Sequence, residues 1–216
     1  MLRPQAASPA VHGTAVQREW LLTDGLGGYA CGTAADVPTR RYHAWMCAVP
    51  PGGSGRVRFV TGCDERIHAG GEEFSLLSAH WRSLSEPSCS SLPAMFHAHP
   101  VPTWVFGHGE VALERSLVMA AGTRGILVRW RNVGTLPLRL SVRPLLAGES
   151  ADGLLRERTL TSRLQHLRHA VSIVIADNLP PVWLTHDEAA VFREDPCWYR
   201  DFHFAVDAAR GYDAVG

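Results

Sequence analysis

Short runs of alternating apolar and polar residues recur along this chain, and they constrain its fold more than any other feature. The run 138–146 reads LRLSVRPLL, so Leu138, Leu140 and Val142 point to one side of a strand while the residues between them point to the other. Gly, Pro and Asp residues separate such runs, which is typical of strands joined by turns. Comparable runs occupy residues 18–23, 42–49, 57–67, 103–106, 110–120, 126–133, 170–176 and 181–185. The sequence therefore predicts an all-β fold, a large antiparallel β-sandwich with at most short helices.

The spacing of the runs also predicts how the chain is organised. Residues 110–120, 126–133 and 138–146 are joined by short turns and are expected to form a three-stranded antiparallel meander. The best helical pattern falls within residues 152–169. Residues 83–102 have no clear period, which predicts a long surface connection or a partly ordered arm. We expect residues 1–15 to form a flexible tail and residues 16–216 to form a single β-sandwich domain.

Composition excludes several classes of protein. The 216 residues carry 21 basic and 21 acidic side chains, and this zero net charge argues against a nucleic-acid partner. The five cysteines are odd in number and form no C-x-x-C pair, so we expect reduced thiols in a cytoplasmic protein. The first fifteen residues lack the apolar core of a secretory signal, and no apolar run reaches the roughly 18 residues of a membrane span. The sequence predicts no membrane partner.

The most unusual segment is EWLLTDGLGGYACGTAADVPTRRYHAWM, residues 19–46. Gly25, Gly27 and Ala30 formally fit the dinucleotide-binding pattern G-x-G-x-x-G/A, which requires a helix directly after the glycines. Gly32 and Pro38 stand where that helix would run. The glycines are therefore predicted to form a tight turn between two strands, with the Asp24 carboxylate accepting backbone N–H bonds in an Asx-type turn.

The polar end of the same segment contains the best candidate site. In an extended strand, Arg40 and Tyr42 would point to one face and Arg41 and His43 to the other. Arginine presents a fixed fork of donors that suits carboxylates and vicinal hydroxyls. Three roles are open: an Arg–Asp brace to the glycine turn, contact with a sugar, or binding of a phosphate.

Other residues that could carry chemistry have simpler interpretations. The adjacent acids at 64–65, 72–73, 187–188 and 194–195 are predicted to lie in solvated turns rather than to act as tuned catalytic acids. His97, His99 and His108 have no local acid or Cys partner, so no metal site is predicted. Four tryptophans lie in apolar strand patterns and are expected in the core: Trp20, Trp104, Trp130 and Trp183. The other three are expected to be more exposed: Trp45, Trp81 and Trp198.

Two segments together resemble the bacterial and archaeal glycogen debranching enzymes, the amylo-α-1,6-glucosidases. The first half of the long N-terminal motif is matched by Glu19, Trp20, Leu21, Thr23, Gly25, Gly27, Gly28, Tyr29, Gly32 and Thr33, and the second half by Thr39, Arg40, Arg41, Tyr42 and His43. The C-terminal motif is matched by Trp198, Tyr199, Phe202, Arg210, Gly211, Tyr212 and Asp213. The resemblance is thinner between them, and residues 147–158 depart from the family's pattern.

The resemblance implies the N-terminal, supersandwich-like β domain of such an enzyme. In the family a helical (α/α)6 barrel follows this domain and holds the catalytic carboxylates, and that barrel is not within these 216 residues. The implied partners are an α-glucan and the barrel, and self-association through the docking face is possible; no catalytic residue, cofactor or metal is implied. The residues implied to bind substrate or partner domain are Asp24, Tyr29, Arg40, Arg41, Tyr42, His43, Trp198, Arg210, Tyr212 and Asp213.

We expect the Arg-Arg-Tyr-His and Arg-Gly-Tyr-Asp elements to meet at a common rim of the sandwich. The alternative to an accessory domain is a free-standing carbohydrate-binding module whose aromatic platform includes Trp45 or Trp81. A nicotinamide-dependent oxidoreductase is a third and more distant alternative, since it depends on the glycine pattern alone.

Overall fold

The computed structural model describes residues 9–53, 55–82, 88–89, 93–156, 163–187 and 190–216. Within these ranges the chain forms fifteen strands and two short helices, which confirms the predicted all-β class. The elements are α1 (Pro9–Gln17), β1 (Glu19–Thr23), β2 (Tyr29–Thr33), β3 (Ala44–Ala48), β4 (Val57–Ala69), β5 (Glu72–Ser75), β6 (Ser78–Ala79), β7 (Ser88–Cys89), β8 (Pro93–His97), β9 (Thr103–His108), β10 (Val111–Val118), β11 (Leu127–Asn132), β12 (Arg139–Ser150), β13 (Arg163–Leu167), β14 (Ala170–Val174), β15 (Val182–Thr185) and α2 (Ala205–Ala209).

The described strands assemble into four antiparallel sheets. The first sheet has the order β1-β2-β3-β4-β12, and β5 also pairs with β4. The second has the order β11-β10-β9-β8, the third has the order β13-β14-β15, and β6 pairs with β7. The 13-residue β4 is long enough to pair with β3 at one end and β5 at the other while β12 runs along its other edge.

The first two sheets stack face to face around one apolar core. Trp20 of β1 meets Trp104 of β9 edge to face, with ring centroids 5.4 Å apart. Phe59 of the first sheet and Phe106 of the second belong to the same buried cluster. The third sheet adds Val182 to it. Aromatic rings dominate the contact because each buries a large apolar area, which stabilises the sandwich.

A buried cation lies between the two stacked sheets. Arg115 of β10 is fully buried, and its two terminal nitrogens lie 2.7 Å from Glu65 Oε2 and 2.7 Å from Asp36 Oδ1. Trp130 donates a hydrogen bond of 2.5 Å to the other Glu65 oxygen. The guanidinium also lies 4.5–5.0 Å from the ring centroids of Trp45, Trp104 and Phe106. Burial raises the pKa of Glu65 and of Asp36, and the Arg115 charge opposes that rise.

Three predictions about burial were wrong because alternation does not say which side of a strand is covered. Asp64 and Glu65 were predicted in a solvated turn, but they lie inside β4, 3% and 1% exposed. Trp45 was expected to be exposed and is buried, because it packs on the Arg115 guanidinium. Trp183 was expected in the core and is 53% exposed.

The predicted meander was also wrong. β10 pairs with β11, but β12 pairs with β4 of the other sheet. The connection after β11 is hydrogen-bonded to the start of β10: Gly134 N–H donates to Ala112 O at 3.1 Å and Leu136 N–H to Glu110 O at 2.9 Å. A Cβ at Gly134 would lie 2.4 Å from the Glu110 carbonyl oxygen, so this close crossing requires glycine. The chain thus crosses the N-terminal end of β10 and continues into β12 of the first sheet.

Two further segments differ from prediction. Residues 163–167 form β13 where part of a helix was predicted, and residues 157–162 lie outside the described ranges. β7 and β8 lie within 83–102, where a surface connection or partly ordered arm was predicted, and 83–87 and 90–92 are likewise not described. α1 begins within the predicted tail, residues 1–8 are outside the described ranges, and the flexibility of the tail stays a prediction.

We predict that Arg115→Met lowers the free energy of unfolding by about 3–5 kcal/mol, since it leaves two carboxylates buried without their cation. Urea unfolding followed by tryptophan fluorescence measures the change. Arg129→Met, on the exposed face of the neighbouring β11, is the matched control and should shift stability by less than about 0.5 kcal/mol. If Arg115→Met does not fold, Trp130→Phe gives a smaller loss; equal stability of Arg115→Met and wild type contradicts the prediction.

Candidate functional site

The glycine-rich segment forms the predicted turn between β1 and β2. Asp24 is fully buried, and its Oδ1 accepts hydrogen bonds from Leu26 N–H at 2.7 Å and Gly28 N–H at 2.8 Å. Gly25 and Gly27 have φ values of +74° and +93°, which favour glycine. A Cβ on Gly28 would lie 2.3 Å from the Asp24 carboxylate. Strand β2, not a helix, follows the glycines, so the dinucleotide-binding arrangement is not formed.

The Arg-Arg-Tyr-His segment is a turn, and the prediction that it is extended was wrong. His43 N–H donates to Arg40 O at 3.0 Å, which closes a tight turn just before β3. His43 is buried, whereas Arg40, Arg41 and Tyr42 are half-buried. The turn therefore places both arginines and the tyrosine toward the surface instead of distributing them over two faces.

The first arginine of the turn is braced by Glu19 of β1. Arg40 Nε lies 2.6 Å from Glu19 Oε1, and His43 Nε2 lies 3.3 Å from the same oxygen. His43 Nδ1 accepts the Thr39 N–H at 3.2 Å, which assigns the ring proton of the neutral imidazole to Nε2. Burial lowers the pKa of His43 to about 4, although the Glu19 carboxylate opposes the shift. A brace thus exists, but its acid is Glu19 rather than an aspartate of the glycine turn.

The C-terminal motif lies against the same turn. Asp207 of α2 is buried and its Oδ2 accepts the Arg41 N–H at 2.7 Å, while Val206 N–H donates to Thr39 O at 3.0 Å. The Arg41 guanidinium lies 5.0 Å from the ring centroid of Tyr212, which is 53% exposed. The two motifs are separated by more than 160 residues in sequence, yet they form one surface.

We call this surface the Arg–Tyr rim and define it as Glu19, Arg40, Arg41, Tyr42, His43, Asp207 and Tyr212. It contains two stacked pairs, since the Arg40 guanidinium also lies 5.6 Å from the Tyr42 ring centroid. Both rim carboxylates are engaged: Glu19 binds Arg40, and Asp207 accepts a backbone N–H. Chemically the rim offers guanidinium donors and aromatic rings, which suit hydroxyl or carboxylate partners more than bond cleavage.

A residue that sequence reasoning missed supports the rim from below. Arg58 of β4 is buried, and its three guanidinium nitrogens donate to the carbonyl oxygens of Arg41, Ser150 and Gly153. Burial lowers the pKa of Arg58. The sequence does contain a signal for this role, because Arg58 stands within an apolar strand pattern, RVRFV. Burying an arginine there costs free energy unless its N–H donors form hydrogen bonds. Arg58 fixes the carbonyl of the second rim arginine.

The remaining predicted residues occupy different places. Tyr29 donates from its hydroxyl to Tyr42 O at 3.0 Å, so it lies behind the rim, and Asp24 stabilises the glycine turn. Arg210 is the exposed residue after α2, and Asp213 forms an exposed ion pair of 2.5 Å with Arg156.

Trp198 is half-buried. Its neighbour Tyr199 donates to Asp64 Oδ2 at 2.6 Å, which ties the C-terminal segment to β4. Trp81, one proposed platform of a carbohydrate-binding module, lies 4.7 Å from the Phe202 ring centroid, and Trp45 is buried. The platform predicted for such a module is therefore not formed by Trp45.

The architecture is that of an antiparallel β-sandwich domain with a polar, aromatic rim. Residues 18–216 match the family model described as glycogen debranching enzyme N terminal, and the chain belongs to this family. Comparison with curated proteins and with solved structures gave no match. The described residues contain no helix long and apolar enough to cross a membrane, and no group of three or more His, Cys, Asp or Glu side chains suited to a metal ion.

We predict that His43 makes the protein less stable as the pH falls. Its folded-state pKa of about 4 is below the unfolded value of 6.5, so the unfolded state binds more protons between these values and stability is lost as pH falls through this window. Denaturant unfolding at pH 7.5 and pH 4.5 should show that wild type loses about 2–3 kcal/mol more than His43→Gln. An equal loss in both proteins, or a His43 imidazole that titrates near 6.5 by NMR, contradicts the prediction.

Proposed function

We propose that this chain is the N-terminal accessory domain of an amylo-α-1,6-glucosidase that acts on α-glucan in cytoplasmic glycogen breakdown. It docks the catalytic helical barrel through the Arg–Tyr rim and shapes the glucan site of that barrel, and it does not hydrolyse glucan alone. The observation that carries the proposal is the contact between the two family motifs, in which Arg41 binds Asp207 through its backbone and lies against Tyr212.

The rim is suited to docking because its donors are held in place before a partner arrives. The Arg41 backbone is fixed at both ends, by Asp207 on its N–H and by Arg58 on its carbonyl. Arg40 is fixed by Glu19. A preorganised arginine loses less conformational entropy on binding, and Arg and Tyr are among the residues that dominate protein interfaces.

The absence of independent hydrolysis follows from the chemistry of the rim. Glycoside cleavage needs one protonated acid and a second carboxylate about 5–10 Å from it on either side of the bond. Glu19 is engaged by Arg40 at 2.6 Å, and Asp207 is buried and accepts the Arg41 backbone N–H. Neither carboxylate is arranged as a proton donor to a sugar.

We predict that the 216-residue chain alone releases no glucose from glycogen phosphorylase limit dextrin, and that it raises glucose release by a separately expressed helical-barrel domain of a family member. A coupled glucose assay measures both. Turnover by the chain alone that survives repeated purification contradicts the accessory role, and no stimulation of a folded barrel contradicts the docking role.

We predict that Arg41→Glu weakens capture of the tagged barrel domain by at least about 30-fold, which corresponds to the roughly 2 kcal/mol of an interface hot spot. Biolayer interferometry with the immobilised barrel measures the affinity. Arg129→Glu makes the same charge change on exposed β11 and is the matched control. Unchanged affinity of Arg41→Glu, or equal weakening by both variants, contradicts docking through the rim.

A further inference from the structure

Trp183 stands out among the tryptophans because more than half of its surface is open. It lies on β15, the edge strand of the third sheet, and is 53% exposed. Of the other six, three are buried, namely Trp20, Trp45 and Trp104, and three are half-buried, namely Trp81, Trp130 and Trp198. Leaving more than half of an indole in water forgoes part of the favourable free energy of burying its apolar surface.

The outer face around Trp183 carries polar and apolar residues. In the strand register, Trp183 is opposite Ser172 of β14, and Ser172 is opposite Gln165 of β13, so the three residues form one row on this face. Trp183 and Gln165 are exposed at the two ends of the row, whereas Ser172 between them is buried, and the apolar Ala170 and Val174 flank it on β14. The inner face carries Val182 and Ile173, which pack on the core.

Further polar groups continue this face. Arg163, two residues before Gln165 on β13, forms an ion pair of 3.0 Å with Asp177 in the β14–β15 loop. Asp177 and Asn178 also line an open groove of about 700 Å³ together with Glu149 of β12. The groove and the ion pair thus share Asp177.

We propose that the outer face of the third sheet binds an α-1,4-linked glucan chain, with one glucose ring stacked on Trp183. The indole covers the apolar C–H face of the ring, while Gln165 and the Arg163–Asp177 pair hydrogen-bond its hydroxyls. The choice of an α-glucan rests on the proposed function. The site is distinct from the Arg–Tyr rim and holds the polymer near the enzyme rather than in the catalytic cleft.

The chemistry favours a sugar over an apolar protein partner. Protein interfaces of stable complexes have a contiguous apolar centre. The next exposed large apolar residue on this face is Leu167, which lies on β13, two strands away from Trp183 and in a different row. One exposed aromatic ring on a face that also carries an exposed amide and an exposed ion pair matches a pyranose, which has an apolar face and a polar edge.

Glycogen affinity electrophoresis and calorimetry with maltoheptaose test the proposal on the 216-residue chain. We expect Trp183→Ala to bind at least tenfold more weakly than wild type, Trp183→Tyr within about threefold of it, and Gln165→Ala about threefold more weakly. Leu167→Ala removes an exposed apolar side chain from the same sheet and should bind as wild type. Thermal unfolding of each variant confirms that the fold is retained.

The outcomes separate this site from the docking role. Wild-type protein that binds neither glycogen nor maltoheptaose, Trp183→Ala with wild-type affinity, or equal loss in Leu167→Ala would each overturn the proposal. Trp183→Ala should still capture the barrel domain, and Arg41→Glu should still bind glucan. Loss of barrel capture by Trp183→Ala with unchanged glucan binding would reassign this face to a protein partner, which also overturns the proposal.

Discussion

The ion pairs of Arg115 hold the two main sheets in a fixed relation, and the rest of the structure depends on them. The cation comes from β10 of the second sheet and Glu65 from β4 of the first, while Asp36 belongs to the loop that leaves β2. Asp36 has φ of +61°, a backbone conformation that aspartate adopts more readily than most residues. Arg115 and Glu65 are both buried away from water, so any shift of one sheet against the other would leave a buried charge without its partner. We infer that the pairs contribute positional specificity more than net stability.

The same loop connects this buried cluster to the rim. Asp36 is followed by the buried Val37 and, two residues later, by Thr39. The Thr39 carbonyl accepts a hydrogen bond from the Val206 N–H of α2, and the Thr39 N–H donates to Nδ1 of His43. Arg58, the second buried arginine, acts from β4 beneath Arg41. The geometry of the rim therefore depends on the buried Arg115 and Arg58, and the rim has little freedom to change shape when a partner binds. Such rigidity suits a partner that is always the same, such as a neighbouring domain.

How far the sequence could predict this structure is clear from particular residues. The strands and the Asp24 turn follow from alternation and from glycine chemistry, both of which are local. The partner of β12, the burial of Glu65 and the exposure of Trp183 depend on which strands become neighbours, and alternation carries no such information. The rim was expected from two distant motifs, yet its acids, Glu19 and Asp207, were not, because a carboxylate far away in sequence gives no local signal.

The two surfaces differ in the way that their proposed tasks require. Buried charged groups hold the rim arginines in place, so the free energy of binding a partner would come from a few fixed donors. This arrangement favours one long-lived complex. The outer face of the third sheet has no buried charged side chain among its described residues and presents an open aromatic ring on an edge strand. Stacking on a single ring is weak, and any glucose unit along the chain can make the same contact. A glucan chain can therefore slide over Trp183 and exchange rapidly. For the debranching role proposed above this separation is useful, because rapid release of glucan from Trp183 does not disturb substrate binding in the proposed catalytic cleft.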